Sequence, residues 1–361
     1  MHARGIVDLF AGPGGLDVAA TWLKIPVIGI ELDGNACTTR KAAGLGTEQE
    51  DVRAWGPRDF PDANVLAAGP PCQTYTVAGS GTGRQDLNNV LGSAKRMANG
   101  EDVSADLKKL SDPRTALVLE PLRWVLEARE AGRPYDAIIL EQVPSVRPVW
   151  AVMDEILTGL GYSVAHDVLR TEQYGVPQTR RRAVLIARRI DEGADKVTLP
   201  KATHHPYRKG VPRPEESEGI KPWVAMGEVL QRPKPFVVIS NYGTGGNPKA
   251  RGERKSTEPS ATVTGKISRN RVLEADGTVS RFDNAESGLI QTFPRDYPWG
   301  GSDIPQQIGN AIPPLLAAHV IVAALGTGAD VLKDLKAEKL PLWSETAATK
   351  SQHPGRDRDI P

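Results

Sequence analysis

The chain has 361 residues, enough for one large domain or two ordinary ones. Its 45 basic and 44 acidic side chains leave a net charge of +1, so the overall charge indicates no particular class of partner. The two cysteines, Cys37 and Cys72, exclude a disulfide framework or a cysteine metal cluster. Such sparse cysteine usage favours a reducing compartment.

No segment has the pattern of a targeting or membrane-spanning sequence. Residues Met1 to Phe10 run directly into a strand pattern, without the apolar region of a signal peptide. The longest apolar stretch, Leu315 to Gly326, contains His319 and is shorter than the roughly 20 residues that cross a bilayer. The sequence therefore predicts a soluble, cytoplasmic protein without a membrane partner.

The chain opens with a strand, a glycine-rich turn and a helix. Gly5–Phe10 is the apolar strand, Ala11–Gly15 is the turn, and apolar residues recur at helical spacing from Leu16 to Leu23. Such units open nucleotide-binding α/β folds, because the glycines let a ligand approach the backbone at the helix N-terminus. The spacing differs from G-x-G-x-x-G, so a dinucleotide is disfavoured, and a purely structural turn stays an alternative.

The next two strand ends carry carboxylates. Glu31 follows the strand Val27–Ile30 at the position where an acidic side chain accepts hydrogen bonds from a ribose. Asp33 has the alternative role of capping the following helix. Asp51 marks the end of a third strand, where a carboxylate can meet the exocyclic amine of an adenine. The three strand ends are expected to converge on one crevice.

A cysteine follows a stiff turn after the fourth strand. The apolar run Val65–Ala68 leads into Gly69-Pro70-Pro71, whose adjacent prolines fix two φ angles just before Cys72. A thiol held in this way suits a nucleophile, provided a neighbouring group lowers its pKa or neutralises charge on the substrate. A buried structural cysteine is an equally good interpretation of this stretch alone, and Cys37 is assigned to the core.

The polar, glycine-rich segment 73–111 follows Cys72, and a loop of this length is usually functional or disordered. Asp112-Pro113 predicts the start of a helix, with a kink at Pro121. The fifth strand, Asp136–Val143, again ends in a carboxylate, Glu141. Two more strands, Tyr162–Leu169 and Ala183–Ala187, flank three consecutive arginines that are typical of a solvated or phosphate-binding patch.

The pattern changes after Arg189. Seven prolines occur between Leu199 and Phe236, and Lys196–Lys255 holds 12 basic and 5 acidic residues in a chain whose total charge is +1. These features favour a small, basic, irregular domain that suits a polyanion, with a solvated linker domain as the alternative. Regular patterns return near Glu286, and Gln307–Pro314 leads into an apolar helix.

Taken together, the motifs resemble those of the cytosine-5 DNA methyltransferase family, in the family's order, from Ile6 to about Leu325. The matching stretches are Asp8-Leu-Phe-Ala-Gly-Pro-Gly-Gly15, Glu31, Asp51, Pro70-Pro-Cys-Gln73, Glu141-Gln-Val143, Gln178-Thr-Arg-Arg-Arg182 and Gln307-Ile-Gly-Asn-Ala311. Each stretch alone is modest evidence, whereas the ordered set is specific.

The resemblance implies an α/β fold: a Rossmann-like, S-adenosylmethionine-dependent methyltransferase domain with a small, mostly irregular or β target-recognition domain. We expect residues 1–190 and 281–327 to form the catalytic domain and residues 191–280 to form the target-recognition domain. Residues 328–361 are expected to be a polar, partly disordered tail. The implied partner is double-stranded DNA, bound by a monomer, with a companion restriction endonuclease that the sequence does not reveal.

The resemblance also implies a mechanism. Cys72 adds to carbon 6 of a flipped-out cytosine, Glu141 meets ring nitrogen 3, and carbon 5 takes the methyl group. Arg180 and Arg182 help to hold the base, the carboxylate and the flanking phosphates, and the loop after Cys72 closes on the DNA. Eleven residues match the family's contacts to S-adenosylmethionine: Phe10, Gly12, Pro13, Gly15, Glu31, Leu32, Asp51, Val52, Pro71, Asn310 and Ala311. No metal is implied.

Three departures from the family pattern keep alternatives open. Gln142 replaces the usual asparagine that braces the proline–cysteine loop, so this brace must be rebuilt. The segment from Gly83 to Ser111 is longer than usual, and Arg281–Glu286 departs from the family's structural motif. The alternatives to an active DNA methyltransferase are a catalytically silent DNA-binding relative, a transferase of a bulkier group, and an enzyme that acts on RNA.

Overall fold

In the computed structural model, which describes residues 3–71, 86–190, 195–241 and 252–347, the strands belong to one large and one small sheet. The strands of the large sheet are β1 Ile6–Leu9, β2 Val27–Ile30, β3 Gly46–Glu48, β4 Val65–Ala68, β5 Ala137–Gln142, β6 Tyr162–Arg170 and β7 Arg181–Arg189. Those of the small sheet are β8 Phe236–Ile239, β9 Glu253–Lys255, β10 Arg271–Glu274 and β11 Val279–Ser280.

The connections between strands are mostly helical. The α-helices are α1 Gly15–Trp22, α2 Gly34–Ala42, α3 Leu87–Ala98, α4 Ser104–Leu107, α5 Glu120–Glu130, α6 Arg147–Gly159, α7 Met226–Val229, α8 Asn284–Ile290, α9 Ile304–Asn310, α10 Pro314–Leu325, α11 Ala329–Asp334 and α12 Trp343–Ala347. Short 3₁₀ helices span Val52–Ala54, Pro57–Asp59, Pro113–Leu119, Pro144–Val146, Thr171–Tyr174, Ile267–Arg269 and Ala337–Lys339.

The large sheet has the order β3-β2-β1-β4-β5-β7-β6. In this order, each adjacent pair from β3 to β5 is parallel, whereas β7 is antiparallel to both β5 and β6. The chain adds β2 and β3 on one side of β1 and then returns to place β4 on the other side. In an open parallel sheet, ligands bind where the strand order reverses in this way, beyond the carboxyl ends of the strands.

The central strands of the large sheet are buried on both faces, which is why β1, β4 and β5 are mostly apolar. Alternate residues of each strand belong to two different hydrophobic clusters. Ile6 and Val65 pack with α1 and α10 on one face, whereas Val7 and Leu66 pack with α3, α5 and α6 on the other. The two clusters make the sheet a rigid platform for the residues at its strand ends.

Helices α9 and α10 form one largely apolar stretch. Within the described ranges, Ile304–Leu325 is the one helical stretch long and apolar enough to cross a membrane, and 72% of its most apolar window is buried inside the protein. Helix α10 packs against α1 and against the strands β5 and β7. Core packing of α10 therefore explains its apolar composition.

The small sheet is antiparallel, in the order β11-β10-β8-β9. Arg232 ties it to helix α8, because its guanidinium bonds both carboxylate oxygens of Glu286, at 2.7 and 2.8 Å, as well as Glu274 of β10 at 2.5 Å. Glu286 belongs to α8, so this ion-pair network joins the two parts of the chain.

The structure changes the prediction for the segment 73–111. Residues 72–85 lie outside the described residues, but α3 and α4 follow, so the second half of this segment is mainly helical. Val90 and Ala94 of α3 are fully buried in the core. Their spacing of four residues is helical, but two apolar residues among polar neighbours form too weak a pattern to predict a helix from the sequence.

The prediction of a kink at Pro121 is also corrected. Pro121 does not kink a helix, because a 3₁₀ helix ends at Leu119 and Pro121 lies in the first turn of α5, where proline is tolerated. The expected tail carries ordered structure through α12, and Trp343 is buried, donating from Nε1 to the Ala43 carbonyl oxygen at 3.1 Å. Residues 348–361 and the glycine-rich stretch 242–251 lie outside the described residues.

Candidate active site

The carboxyl ends of the parallel strands open into one cavity, which we call the strand-end cavity. Its volume is about 700 Å³, and it is lined by the residues that follow β1, β2, β3 and β4, by the end of β5 and by α9. All eleven predicted cofactor residues line it, as do Glu141, Arg180 and Arg182. Cys72 lies outside the described residues, but Pro71, immediately before it, lines the same cavity. The structure thus brings the described part of the predicted site together.

The glycine-rich turn after β1 curls tightly around the mouth of the cavity. Phe10, Gly12 and Gly14 all have positive φ angles, of 61°, 55° and 102°. The positive φ of Phe10 is unusual, because a left-handed backbone is uncommon for residues other than glycine. Gly15 begins α1 in such close contact with the Ile312 carbonyl oxygen that a Cβ atom would clash there. These glycines serve both the turn and its packing against the segment after α9.

Glu31 links two loops at the edge of the cavity. Its Oε2 accepts a hydrogen bond from the Gly12 backbone N–H at 2.7 Å, and its Oε1 accepts one from the Asp33 N–H at 2.7 Å. Asp33 in turn caps α2, since its side chain accepts from the Ala36 N–H at 2.9 Å, which confirms the capping role proposed for it. The Glu31 carboxylate is held in a single orientation, with lone pairs remaining on both oxygens.

Asp51 is more fully engaged than the sequence indicated. It follows β3, caps the 3₁₀ helix Val52–Ala54, and pairs with Arg53 through both oxygens, at 2.9 and 2.6 Å. The hydrogen bonds from Arg53 lower the pKa of Asp51, so this carboxyl stays ionised as an acceptor. Arg53 is 59% exposed at this position, and sequence patterns gave no signal for it.

Glu141 and Arg182 form an ion pair on the cavity wall. Arg182 Nε lies 2.7 Å from Glu141 Oε1, and the two side chains are only 13% and 15% exposed. Glu141 lies near the end of β5 and Arg182 near the start of the antiparallel β7, so pairing of the two strands sets their proximity. A partly buried, paired carboxyl group is suited to hydrogen bonding with a polar ring edge.

Arg180 lies deeper than predicted. Its guanidinium donates to the Val263 carbonyl oxygen and the Gly309 carbonyl oxygen, both at 2.8 Å, and the residue is 1% exposed. These two bonds join the segment around Val263 to α9. The part of Arg180 in holding the base, the carboxylate and the flanking phosphates stays a prediction.

Asp8 is a cavity residue that the motif contained but to which we assigned no role. It is 4% exposed in β1 and lines the cavity. Burial raises the pKa of Asp8, and the nearby carboxylate of Asp17 raises it further. Beneath it, the buried ion pair of Asp17 and Arg40, with distances of 2.7 and 2.9 Å, supports the turn. Asp8 is identified as a site residue only by its burial and by its proximity to Asp17, and neither property can be predicted from the motif alone.

The sequence of this chain matches a known protein family. Residues 5–94 and 103–221, more than half of the chain, match the C-5 cytosine-specific DNA methylases. The Type II methyltransferase M1.HphI of Haemophilus parahaemolyticus is 26% identical over 349 residues, which cover 88% of this chain and 86% of that protein. The Type II methyltransferase M.MthTI of Methanothermobacter thermautotrophicus is 24% identical over 349 residues, covering 87% and 95%.

Solved structures share the fold at low sequence identity. The S. pombe Dnmt2 methyltransferase superposes with a TM-score of 0.61 at 15% identity, covering 90% of this chain and 98% of that one. The Entamoeba histolytica methyltransferase EhMeth has a TM-score of 0.59 at 14% identity, covering 90% and 99%. These similarities confirm the predicted α/β methyltransferase fold.

Proposed function

Because the chain belongs to the C-5 cytosine-specific DNA methylase family, we propose that its strand-end cavity holds S-adenosylmethionine beside a flipped-out cytosine. The protein is a DNA (cytosine-5)-methyltransferase, which methylates carbon 5 of cytosine. The observation that carries the proposal is the convergence of the predicted cofactor residues and the Glu141–Arg182 pair on one cavity. The role of each individual residue is likewise proposed.

The lining of the cavity fits the cofactor chemically. The remaining lone pairs of the oriented Glu31 carboxylate suit two ribose hydroxyls. Leu32 is 62% exposed at the cavity, where it and Phe10 offer apolar surface to an adenine ring, and Asp51 offers an acceptor for the amine. S-adenosylmethionine supplies an activated methyl group when bound there. The remaining cofactor residues, Gly12, Pro13, Gly15, Val52, Pro71, Asn310 and Ala311, form the surrounding wall.

Cys72 is the proposed nucleophile. Its thiolate forms a bond to carbon 6 of the cytosine, and the electron pair of the 5,6 double bond moves onto carbon 5, which becomes nucleophilic. After methylation, carbon 5 loses its proton to a base, the double bond re-forms, and the sulfur leaves as a thiolate. The two prolines before Cys72 restrict the backbone that presents the thiol.

Glu141 and Arg182 are proposed to act on the opposite side of the ring. Glu141 shares a proton with ring nitrogen 3, so that charge pushed into the ring is neutralised as it develops. Arg182 holds the carboxyl group through the 2.7 Å ion pair. Arg180 is a positioning residue, because its two bonds to backbone carbonyl oxygens join the small domain to the cavity wall.

The proposed substrate is duplex DNA. A cytosine inside a duplex exposes neither face to a thiol, so the base must be rotated out of the stack. We propose that residues 191–280 form the target-recognition domain, whose excess of basic residues suits the phosphate backbone. Since the relatives are named Type II methyltransferases, we propose a cytoplasmic, monomeric modification enzyme that is paired with a restriction endonuclease.

Transfer of a labelled methyl group tests the proposal directly. Incubation with labelled S-adenosylmethionine and mixed-sequence duplex DNA should label the DNA, while a duplex whose cytosines are all 5-methylated should stay unlabelled. RNA of the same sequence serves as the control for substrate class. Bisulfite sequencing of DNA from expressing cells then identifies the modified site. Label on RNA alone, or on no nucleic acid, would contradict the proposal.

A second experiment tests the proposed roles of individual residues. A duplex containing 5-fluorocytosine should trap wild-type protein covalently, because fluorine cannot leave as a proton does, whereas Cys72→Ser should form no adduct. Glu141→Gln and Arg182→Ala should slow methylation by roughly 10²–10⁴-fold. Arg181→Ala, which changes the exposed neighbour on β7, is the matched control. Methylation by Cys72→Ser at the wild-type rate would refute the covalent mechanism.

A further inference from the structure

A second cavity opens at the other edge of the large sheet, and we call it the distal cleft. Its volume is about 1080 Å³, compared with about 700 Å³ for the strand-end cavity. Asp136 and Arg188 line the distal cleft, whereas Glu141 and Arg182, at the opposite ends of β5 and β7, line the strand-end cavity. Five residue steps from Asp136 to Glu141 correspond to about 17 Å along the strand. The two cavities are therefore separate sites.

The rim of the distal cleft is cationic. Its lining holds seven basic and three acidic side chains, namely Arg188, Arg189, Lys196, Lys201, Lys221, Lys333 and Lys336, and Asp136, Asp195 and Glu338. Arg189 pairs with Asp136 at 2.9 Å. Among the described residues, no ion pair engages Lys196, Lys201, Lys221 or Lys336. Four ammonium groups around one concavity therefore keep their charge available for an anion.

The floor of the distal cleft contains a buried imidazole. His319 lies in α10 and is 8% exposed, and its ring centroid lies 5.3 Å from that of Tyr174. Nowhere in the described ranges does either of its ring nitrogens find a hydrogen-bond partner. The ring nitrogens of His319 are not among the buried atoms that lack a hydrogen-bond partner, so they face the open cleft, where they can hydrogen-bond a ligand that enters it. Burial lowers the pKa of His319 to about 4, so at neutral pH the ring offers one donor and one acceptor.

We propose that the distal cleft binds a small phosphorylated ligand with a flat ring, of the nucleoside polyphosphate class. The ring would lie on the apolar floor beside Tyr174, with a polar edge toward His319, and the phosphates would lie among the lysines of the rim. A duplex fits this site less well, because a sugar–phosphate backbone does not reach an imidazole at the bottom of a cleft. The proposal is independent of the reaction assigned to the strand-end cavity.

Calorimetric titration with ATP tests the proposal, in the presence of saturating S-adenosylhomocysteine to block the strand-end cavity. We expect binding to one site. Lys196→Glu combined with Lys201→Glu should weaken it by at least tenfold, because two of the four available cations are reversed. Lys41→Glu combined with Lys108→Glu, at exposed positions away from the cleft, is the matched control and should bind ATP as the wild type does.

The imidazole provides an independent readout. Addition of ATP should shift the NMR resonances of the His319 ring, and His319→Leu should weaken ATP more than inorganic triphosphate, because only ATP has a ring that reaches the floor. Circular dichroism of His319→Leu controls for folding. Three outcomes would overturn the proposal: no binding of ATP, unchanged binding by the double lysine variant, or displacement of ATP by S-adenosylhomocysteine or by duplex DNA.

Discussion

The side-chain amide of Gln142 donates a hydrogen bond to the backbone carbonyl oxygen of Pro70, which lies 72 residues earlier in the sequence. Its own carbonyl oxygen Oε1 accepts from the Val143 N–H at 2.5 Å. The residue is 3% exposed. Glutamine in place of the family's usual asparagine therefore keeps a brace on the proline turn that precedes Cys72. The unusual residue does not by itself indicate a silent enzyme.

Removing this brace should impair catalysis more than cofactor binding. Gln142→Ala leaves the buried Pro70 carbonyl oxygen without its partner, at a cost of about 1–3 kcal/mol, and loosens the turn. We expect the single-turnover methylation rate to fall by roughly 5–150-fold, with the Kd for S-adenosylhomocysteine within about twofold of wild type. Gln142→Asn should lose less, since it keeps the amide. Wild-type rates for Gln142→Ala would show that the brace is dispensable.

The buried ion pair of Asp17 and Arg40, which supports the glycine-rich turn after β1, should contribute strongly to the free energy of unfolding. Arg40→Met leaves Asp17 buried without its cation, beside Asp8, and should lower the free energy of unfolding by about 3–5 kcal/mol. Adding Asp17→Leu should recover part of the loss. Arg53→Ala, which breaks an exposed pair, should cost less than about 1 kcal/mol. Urea unfolding measures all three, and equal losses for Arg40→Met and Arg53→Ala would contradict this assignment.

Asp51, rather than its partner Arg53, should determine cofactor affinity at this end of the strand-end cavity. In the structure it occupies both carboxylate oxygens that are proposed to face the adenine amine. We expect Arg53→Ala to leave the affinity for S-adenosylhomocysteine unchanged or modestly higher, whereas Asp51→Ala should lower it by roughly tenfold, the equivalent of about 1.4 kcal/mol. Calorimetry distinguishes these results. A large loss in Arg53→Ala would mean that the guanidinium itself contacts the cofactor.

His319 should make stability depend on pH below neutrality. Its pKa is about 4 in the folded chain, against an ordinary value of 6.5, so between these values the unfolded chain binds the additional proton. Stability therefore falls as pH decreases from about 6.5 to about 4, by ~1.4 kcal/mol per pH unit from this one group. As pH falls from about 6.5 to about 4, the free energy of unfolding of His319→Leu should therefore rise relative to that of the wild type by this amount per pH unit. An identical pH dependence of the free energy of unfolding in the two proteins would rule out a neutral buried imidazole.

Most of the strand-end cavity could be predicted because its chemistry lies at the ends of successive strands. The glycine turn, Glu31 and Glu141 each follow an apolar run, and Asp51 follows the short strand β3; parallel strands bring such positions to one edge. What could not be predicted are partners far apart in sequence. Arg180 bonds carbonyl oxygens 83 and 129 residues away, which is why its burial and bracing role appear only in the folded chain.

Local sequence by itself determined the strand–turn–helix opening, the carboxylates at the strand ends and the family of the chain, since these depend on residue type and short spacing. Tertiary structure alone decided the brace from Gln142, the burial of α3 and Trp343, and the distal cleft. The physical reason is that burial and hydrogen-bond satisfaction depend on which distant segments pack together. A single sequence carries no direct record of that packing.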